Sequence, residues 1–172
     1  MTLEEGLFSR HIGKSIALDS NLLLVLIAGS LGAQLFKSFK RVSGYRMEDY
    51  ELLVRLLGSF TVLITTPHVL TEVSNLANGL RESYKYDWNT YFAPLVGSEK
   101  NIGVREQWIP AAELALKPDF LPFGLTDTAL AELTSQALVV TEDYRLSGSL
   151  KTRGIPVLNF GDLRKLQLYE ND

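Results

Sequence analysis

Hydrophobic positions along the chain fall into short continuous runs, separated by longer stretches with helical spacing. The runs are "SIAL" at 15–18, "TVLIT" at 61–65, "ALVV" at 137–140 and "IPVLN" at 155–159. Runs apolar at every position suit strands covered on both faces, as in a parallel sheet. After the first, "NLLLVLIAGSLGAQLF" reads as a mostly buried helix and "KSFKRVSGYR" at 37–46 as a polar connection. "MEDYELLVRLLGSF" then reads as a helix with Tyr50, Leu53, Val54 and Leu57 on one face.

The second run is followed by "TPHVLTEVSNLANG", a helix with Thr66 as N-cap, Pro67 at its first position and Gly79 as its stop. "LTDTALAELTSQ" at 125–136 predicts a helix capped by Thr126, and "YRLSGSLKTRG" a short helix and turn. The stretch 80–121 follows no single period. It opens with the aromatic and polar "RESYKYDWNTYFAPLV", and its "VREQWI" fits either a short strand or the start of a helix. Parallel strands require long crossovers, so strands alternating with helices predict an α/β fold. The expected architecture is a three-layer α/β/α sandwich around a mainly parallel sheet of four to five strands.

A length of 172 residues fits one domain with a full core, spanning 1–172. Hydrophobic content of 46% and charged content of 22% exclude a disordered chain. The absence of cysteine removes disulfides, thiolate metal sites and a cysteine nucleophile, and it fits a cytoplasmic location. Residues 22–28 followed by "GSLGAQ" superficially resemble a secretory leader. Glu4 and Glu5 stand where such a leader is basic, and the run is shorter than the ~20 residues that span a bilayer, so no membrane association is expected. With a net charge of -3, any polyanion must be met by a local basic patch or by bound cations.

Four acids stand out by position. Asp19 closes the first strand and Asp143 stands two residues beyond "LVVT", so both lie at carboxyl ends of strands, the edge where parallel sheets bind ligands. Glu72 shares a helix face with His68 and Asn75. Asp127 falls in the first turn of its helix, where the dipole favours a carboxylate. Singly, each has an ordinary structural explanation as a cap, turn former or solvated residue, and His68 reads as a packing or surface residue. Together they are directed to one corner, where two carboxylates ~5 Å apart repel by roughly 3 kcal/mol at an effective dielectric of ~20. A divalent cation offsets that repulsion. Oxygen donors select Mg2+ or Mn2+, ions that retain water and phosphate oxygens, so the chemistry expected is phosphate-ester hydrolysis by metal-activated water. Ser20 and Thr141 are placed to orient a water or ligand.

"ALDSN", "TPHVLTEVSNL", "GLTDTALAEL" and "LVVTEDYRL…GIPVLNF" resemble, in order and over most of the chain, the four motifs of PIN domains. These are metal-dependent nucleases that include toxins of toxin-antitoxin pairs. The resemblance implies an endoribonuclease in which Asp19, Glu72, Asp127 and Asp143 form the acidic quartet that binds metal. It also makes Thr141 the hydroxyl of a "TxD" motif, and Asn21 and Asn75 polar neighbours of the first two acids. A homodimer and an inhibitory antitoxin protein are further implications. The chain exceeds the compact toxin form, with 80–121 as a family-atypical insertion.

RNA approaching an acidic pocket needs cations nearby. Lys37, Lys40, Arg41 and Arg46 form the densest basic stretch, while Arg81, Lys85 and Arg105 flank the aromatic residues Tyr84, Tyr86, Trp88 and Tyr91. Rings beside cations suit single-stranded RNA, and a solvated segment with anchoring aromatics accounts for the same pattern. The competing functions are a non-catalytic PIN-fold module for RNA or protein binding, and a phosphatase with Asp19 as nucleophile. The second is disfavoured, since "DSN" lacks an acid two residues after the first.

Overall fold

The computed structural model describes residues 3–97 and 103–170. In chain order the elements are α1 (Leu3–His11), β1 (Ser15–Leu18), α2 (Ser20–Leu31), α3 (Ala33–Ser38), α4 (Met47–Leu57), β2 (Val62–Thr65) and α5 (Pro67–Ala77). They continue as α6 (Glu82–Gly97), β3 (Gly103–Glu106), α7 (Ala111–Leu114), α8 (Phe120–Glu132), β4 (Leu138–Thr141), α9 (Tyr144–Thr152), β5 (Val157–Asn159) and α10 (Phe160–Glu170). Single 3-10 turns follow α3 and α8.

The five strands form one parallel sheet in the order β3-β2-β1-β4-β5. From β1 the chain steps outward through β2 to β3, then returns to add β4 and β5 on the other side of β1. The order therefore reverses between β1 and β4, which opens a crevice at their carboxyl ends.

Alternation along each strand divides the core into two layers. Ile16, Leu18, Leu63, Val140 and Leu158 face a layer built on α2, α4, α5 and α6. Ala17, Ile64, Val139 and Val157 face the other, where Leu130, Leu133, Leu146 and Leu150 pack. This is the three-layer α/β/α sandwich expected from the pattern. Among the described residues no helix is long and apolar enough to cross a membrane.

Helix α2 is buried along most of its length because its sequence is apolar all round. The single helix expected over 21–36 is divided, since Gly32 at φ 113 ends α2 before α3 begins. On α4 the buried face is Leu53, Leu56 and Leu57, whereas Val54 is exposed. Thr66 caps α5, accepting from the Val69 amide at 3.3 Å, and Pro67 occupies its first turn. That helix ends at Ala77, two residues before Gly79. "VREQWI" contributes β3, which pairs with β2 at the sheet edge, so 80–121 supplies a strand as well as α6 and α7.

Gly29 lets α2 approach α4: a Cβ there would overlap the Tyr50 ring and stand 2.7 Å from Tyr50 Cβ. Gly29→Ala is expected to destabilise the fold by about 1–3 kcal/mol, the cost of overpacking a filled interface. A lowered urea midpoint with an unchanged slope is the checking measurement.

Candidate active site

Asp19 leaves the central strand with extended backbone geometry and caps α2. Its Oδ1 accepts from the Leu22 amide at 2.8 Å. Its Oδ2 accepts from Thr141 Oγ1 at 2.6 Å and from the Glu142 amide at 2.9 Å. The carboxylate thus joins the ends of β1 and β4 across the point of strand reversal. It is buried, and burial raises its pKa above the ordinary carboxyl value, with the three hydrogen bonds acting in the opposite direction.

Thr141 is buried and two-sided: its hydroxyl donates to Asp19 and accepts from the Asp143 amide at 3.0 Å. Asp143 in turn caps α9, accepting through Oδ1 from the amides of Arg145 at 2.7 Å and Leu146 at 3.1 Å. Buried Ser20, the first residue of α2, donates from Oγ to Glu72 Oε2 on α5 at 2.9 Å. The hydroxyls of Ser20 and Thr141, expected to orient a water or ligand, are therefore bonded to carboxylates of the quartet.

Asp127 reaches the same corner by a different route. Gly124 interrupts α8 with φ 78 and ψ -172, a region essentially limited to glycine, and the helix restarts beyond it. Thr126 lies inside the helix and does not cap it; the break at Gly124 takes over the role of a helix start. Asp127 therefore sits in the first turn after the break, half-buried, with no hydrogen-bond partner among the described residues. Its pKa is raised to about 6, by burial first and then by Asp143, Glu72 and Asp19. All three other acids are near enough to raise its pKa.

The donor chemistry fits a hard divalent ion, since every candidate ligand is a carboxylate oxygen. As placed, however, no three His, Asp or Glu side chains among the described residues are grouped closely enough to hold an ion jointly. Asp19, Glu72 and Asp143 are directed instead to protein donors.

Glu142, between Thr141 and Asp143, was not singled out by its sequence context. Its side chain accepts from the Tyr45 hydroxyl and from Arg164 Nη1, the latter at 2.8 Å. Arg164 also clamps buried Asp49, with Nε to Oδ1 at 2.7 Å and Nη2 to Oδ2 at 3.1 Å, and its guanidinium stands 5.2 Å from the Tyr45 ring centroid. Burial and the contact with Glu142 push the Tyr45 pKa far up, so this hydroxyl is a permanent donor. Glu142, whose own amide holds Asp19, thereby has its side chain fixed from two other segments. Those partners lie 97 and 22 residues away in sequence, beyond the reach of any local motif.

Asn21 and Asn75 are exposed, with no side-chain hydrogen bond among the described residues. Asn75 nevertheless lines a groove shared with Glu72. His68 lines the same groove, half-buried, with Nδ1 enclosed and unpartnered among the described residues.

Lys37, Lys40, Arg41 and Arg46 are all exposed and form no ion pair among the described residues. Lys37 and Arg46 line a cavity of about 540 Å³ together with Phe36 and Tyr45, the residue bonded to Glu142. On α6, Arg81 is exposed just before the helix and Lys85 pairs with Glu82 at 2.6 Å. Arg105 is exposed on β3. The aromatic residues of this stretch mostly anchor α6. Trp88 is buried edge-on to Phe39 at 6.2 Å, Tyr84 packs on the core and Tyr91 accepts from Ser30 at 2.8 Å, leaving Tyr86 exposed.

Comparisons of the chain with protein-family models, curated proteins and solved structures yield no match.

Charge at Asp127 should carry a stability cost that depends on pH. Its folded pKa of about 6 exceeds the unfolded value of 3.8, so folding is favoured while the group is protonated and that contribution is lost as pH rises through about 6. Asp127→Asn is therefore expected to raise the Tm at pH 7.5 by about 2–4 °C, allowing for solvent screening, and to lose the advantage below pH 4. Thermal unfolding of both proteins across that range is the check.

Proposed function

We propose that this protein is a divalent-cation-dependent endoribonuclease. The observation that supports the reading most directly is that Asp127, near the switch point of a parallel sheet, feels the charge of Asp143, Glu72 and Asp19. The ordered resemblance to PIN-domain motifs supplies the substrate class. It also supplies the further proposals of a toxin role, an antitoxin partner, a homodimer and a cytoplasmic location.

Asp19, Glu72, Asp127 and Asp143 would hold Mg2+ or Mn2+, directly or through water. Such an ion, when bound, supplies charge to a phosphodiester and lowers the pKa of water. The chain's own contributions are positional. Leu22, Thr141 and Glu142 fix Asp19 from both sides, and Ser20 orients Glu72. Asp127, with no hydrogen-bond partner among the described residues, is the carboxylate most free to turn toward an ion. Lys37 and Arg46, beside Phe36 and Tyr45, provide a cationic and aromatic approach for a single strand. Lys40 and Arg41, exposed in the same stretch, are further proposed RNA contacts, as are Arg81 and Lys85 at the start of α6, where Lys85 is paired with Glu82.

The spread of the carboxylates favours a second reading, a non-catalytic module that binds RNA or protein through the same fold. One experiment separates the two. Purified protein should cleave single-stranded RNA with Mn2+ or Mg2+, stop on chelation, and resume when the ion is restored. Asp19→Asn should lower cleavage at least about 100-fold, as loss of a preorganised charge in an active site does, while retaining native circular dichroism. Equal cleavage by the mutant, or RNA binding without any cleavage by the wild type, sinks the nuclease assignment.

A further inference from the structure

Between α5 and α8, beside the acid corner, lies a groove of about 390 Å³. Glu72 forms part of one wall, and Leu125 and Thr126, the two residues before Asp127, belong to the other. The volume falls within the usual range for small-molecule sites.

The lining chemistry narrows the ligand. No lysine or arginine lines the groove, and Glu72 is its only carboxylate, so a phosphate group placed inside would be repelled with nothing to hold it. Apart from Glu72, what the groove offers is neutral. Thr71, Asn75, Thr126 and His68 line it with side chains that have no hydrogen-bond partner among the described residues. Half-buried Leu76 and Leu125 add apolar surface. His68 lines the groove with its Nδ1 enclosed and unpartnered among the described residues. Apolar surface combined with unspent amide and hydroxyl groups suits a nucleobase with its ribose. An asparagine amide matches the paired donor and acceptor of a base edge.

We propose that the α5/α8 groove is a nucleoside subsite, receiving the base and ribose of the nucleotide adjoining the phosphodiester held at the acid corner. It rests on the ribonuclease reading and adds a source of sequence preference, with Asn75 reading the base and Leu76 and Leu125 packing on its face. The basic approach at Lys37 and Arg46 carries phosphates, while this groove carries none.

The test uses the full chain with free nucleosides as probes, followed by short RNA substrates. Adenosine, guanosine, cytidine and uridine are titrated singly while backbone amide resonances are followed. At least one should saturate at millimolar concentration and shift the amides of Thr71, Asn75, Leu125 and Thr126. Thr71→Trp, which fills the groove from an exposed position, should abolish those shifts. It should also raise KM for RNA about tenfold with kcat changed much less, the pattern of lost ground-state binding. Asn75→Asp, which replaces an amide donor by an acceptor, should change which base flanks the cut. Wild-type cleavage with KM and base preference unaltered in both variants overturns the subsite and leaves the nuclease intact. Nucleoside binding in the groove by a protein that cuts no RNA overturns the nuclease and leaves a nucleoside site. Absence of groove shifts with all four nucleosides also overturns the subsite.

Discussion

The architecture turns on one buried carboxylate. Asp19 accepts from Leu22, Thr141 and Glu142, so a single side chain caps the central helix and ties the ends of β1 and β4 together. Hydrogen bonds to a charged group each contribute about 1.5–3 kcal/mol, and three of them offset much of the cost of burying the charge. Parallel strands β1 and β4 are separated by most of the chain. Asp19 joins them where no turn does.

The same constraint explains how the acids are distributed. Once Asp19 is fixed, Thr141 is committed to it, and the Thr141 hydroxyl then holds the amide of Asp143. Asp143 spends one oxygen on α9, and Glu72 receives Ser20. Three of the carboxylates are thus stabilised by donors, while Asp127 has none among the described residues to counter the effect of its partial burial and of the neighbouring acids. A corner built this way accumulates negative charge without dispersing it, an arrangement that opposes folding and that active sites commonly retain.

A second ring of interactions surrounds the first. Arg164 on the last helix joins Asp49 on α4 to Glu142 beside the site, and Tyr45 closes the group by bonding Glu142 and stacking against the guanidinium. The basic stretch around residues 37–46 is tied to the acid corner through Tyr45. A cavity lined by Lys37 and Arg46 and a groove along α5 without lysine or arginine lie on the borders of this assembly.

Four strands, most of the helices that connect them and the strand-end positions of Asp19 and Asp143 were legible in the sequence, because apolar runs and helical periods are local. The edge strand β3 was ambiguous: with only one neighbour and with Arg105 and Glu106 exposed, it lacks the apolar continuity of the inner strands. Helices α1 and α10, which both pack against the edge strand β5, left little pattern in the sequence. Local apolar patterning marked β1, β2, β4 and β5 and set Asp19 and Asp143 beside the ends of two of them. Tertiary structure alone decided that Ser20 would serve Glu72, that Gly124 would restart a helix to aim Asp127, and that Tyr45 and Arg164 would secure Glu142. Those contacts join residues far apart along the chain, and hydrogen-bond geometry exists only after the layers have packed.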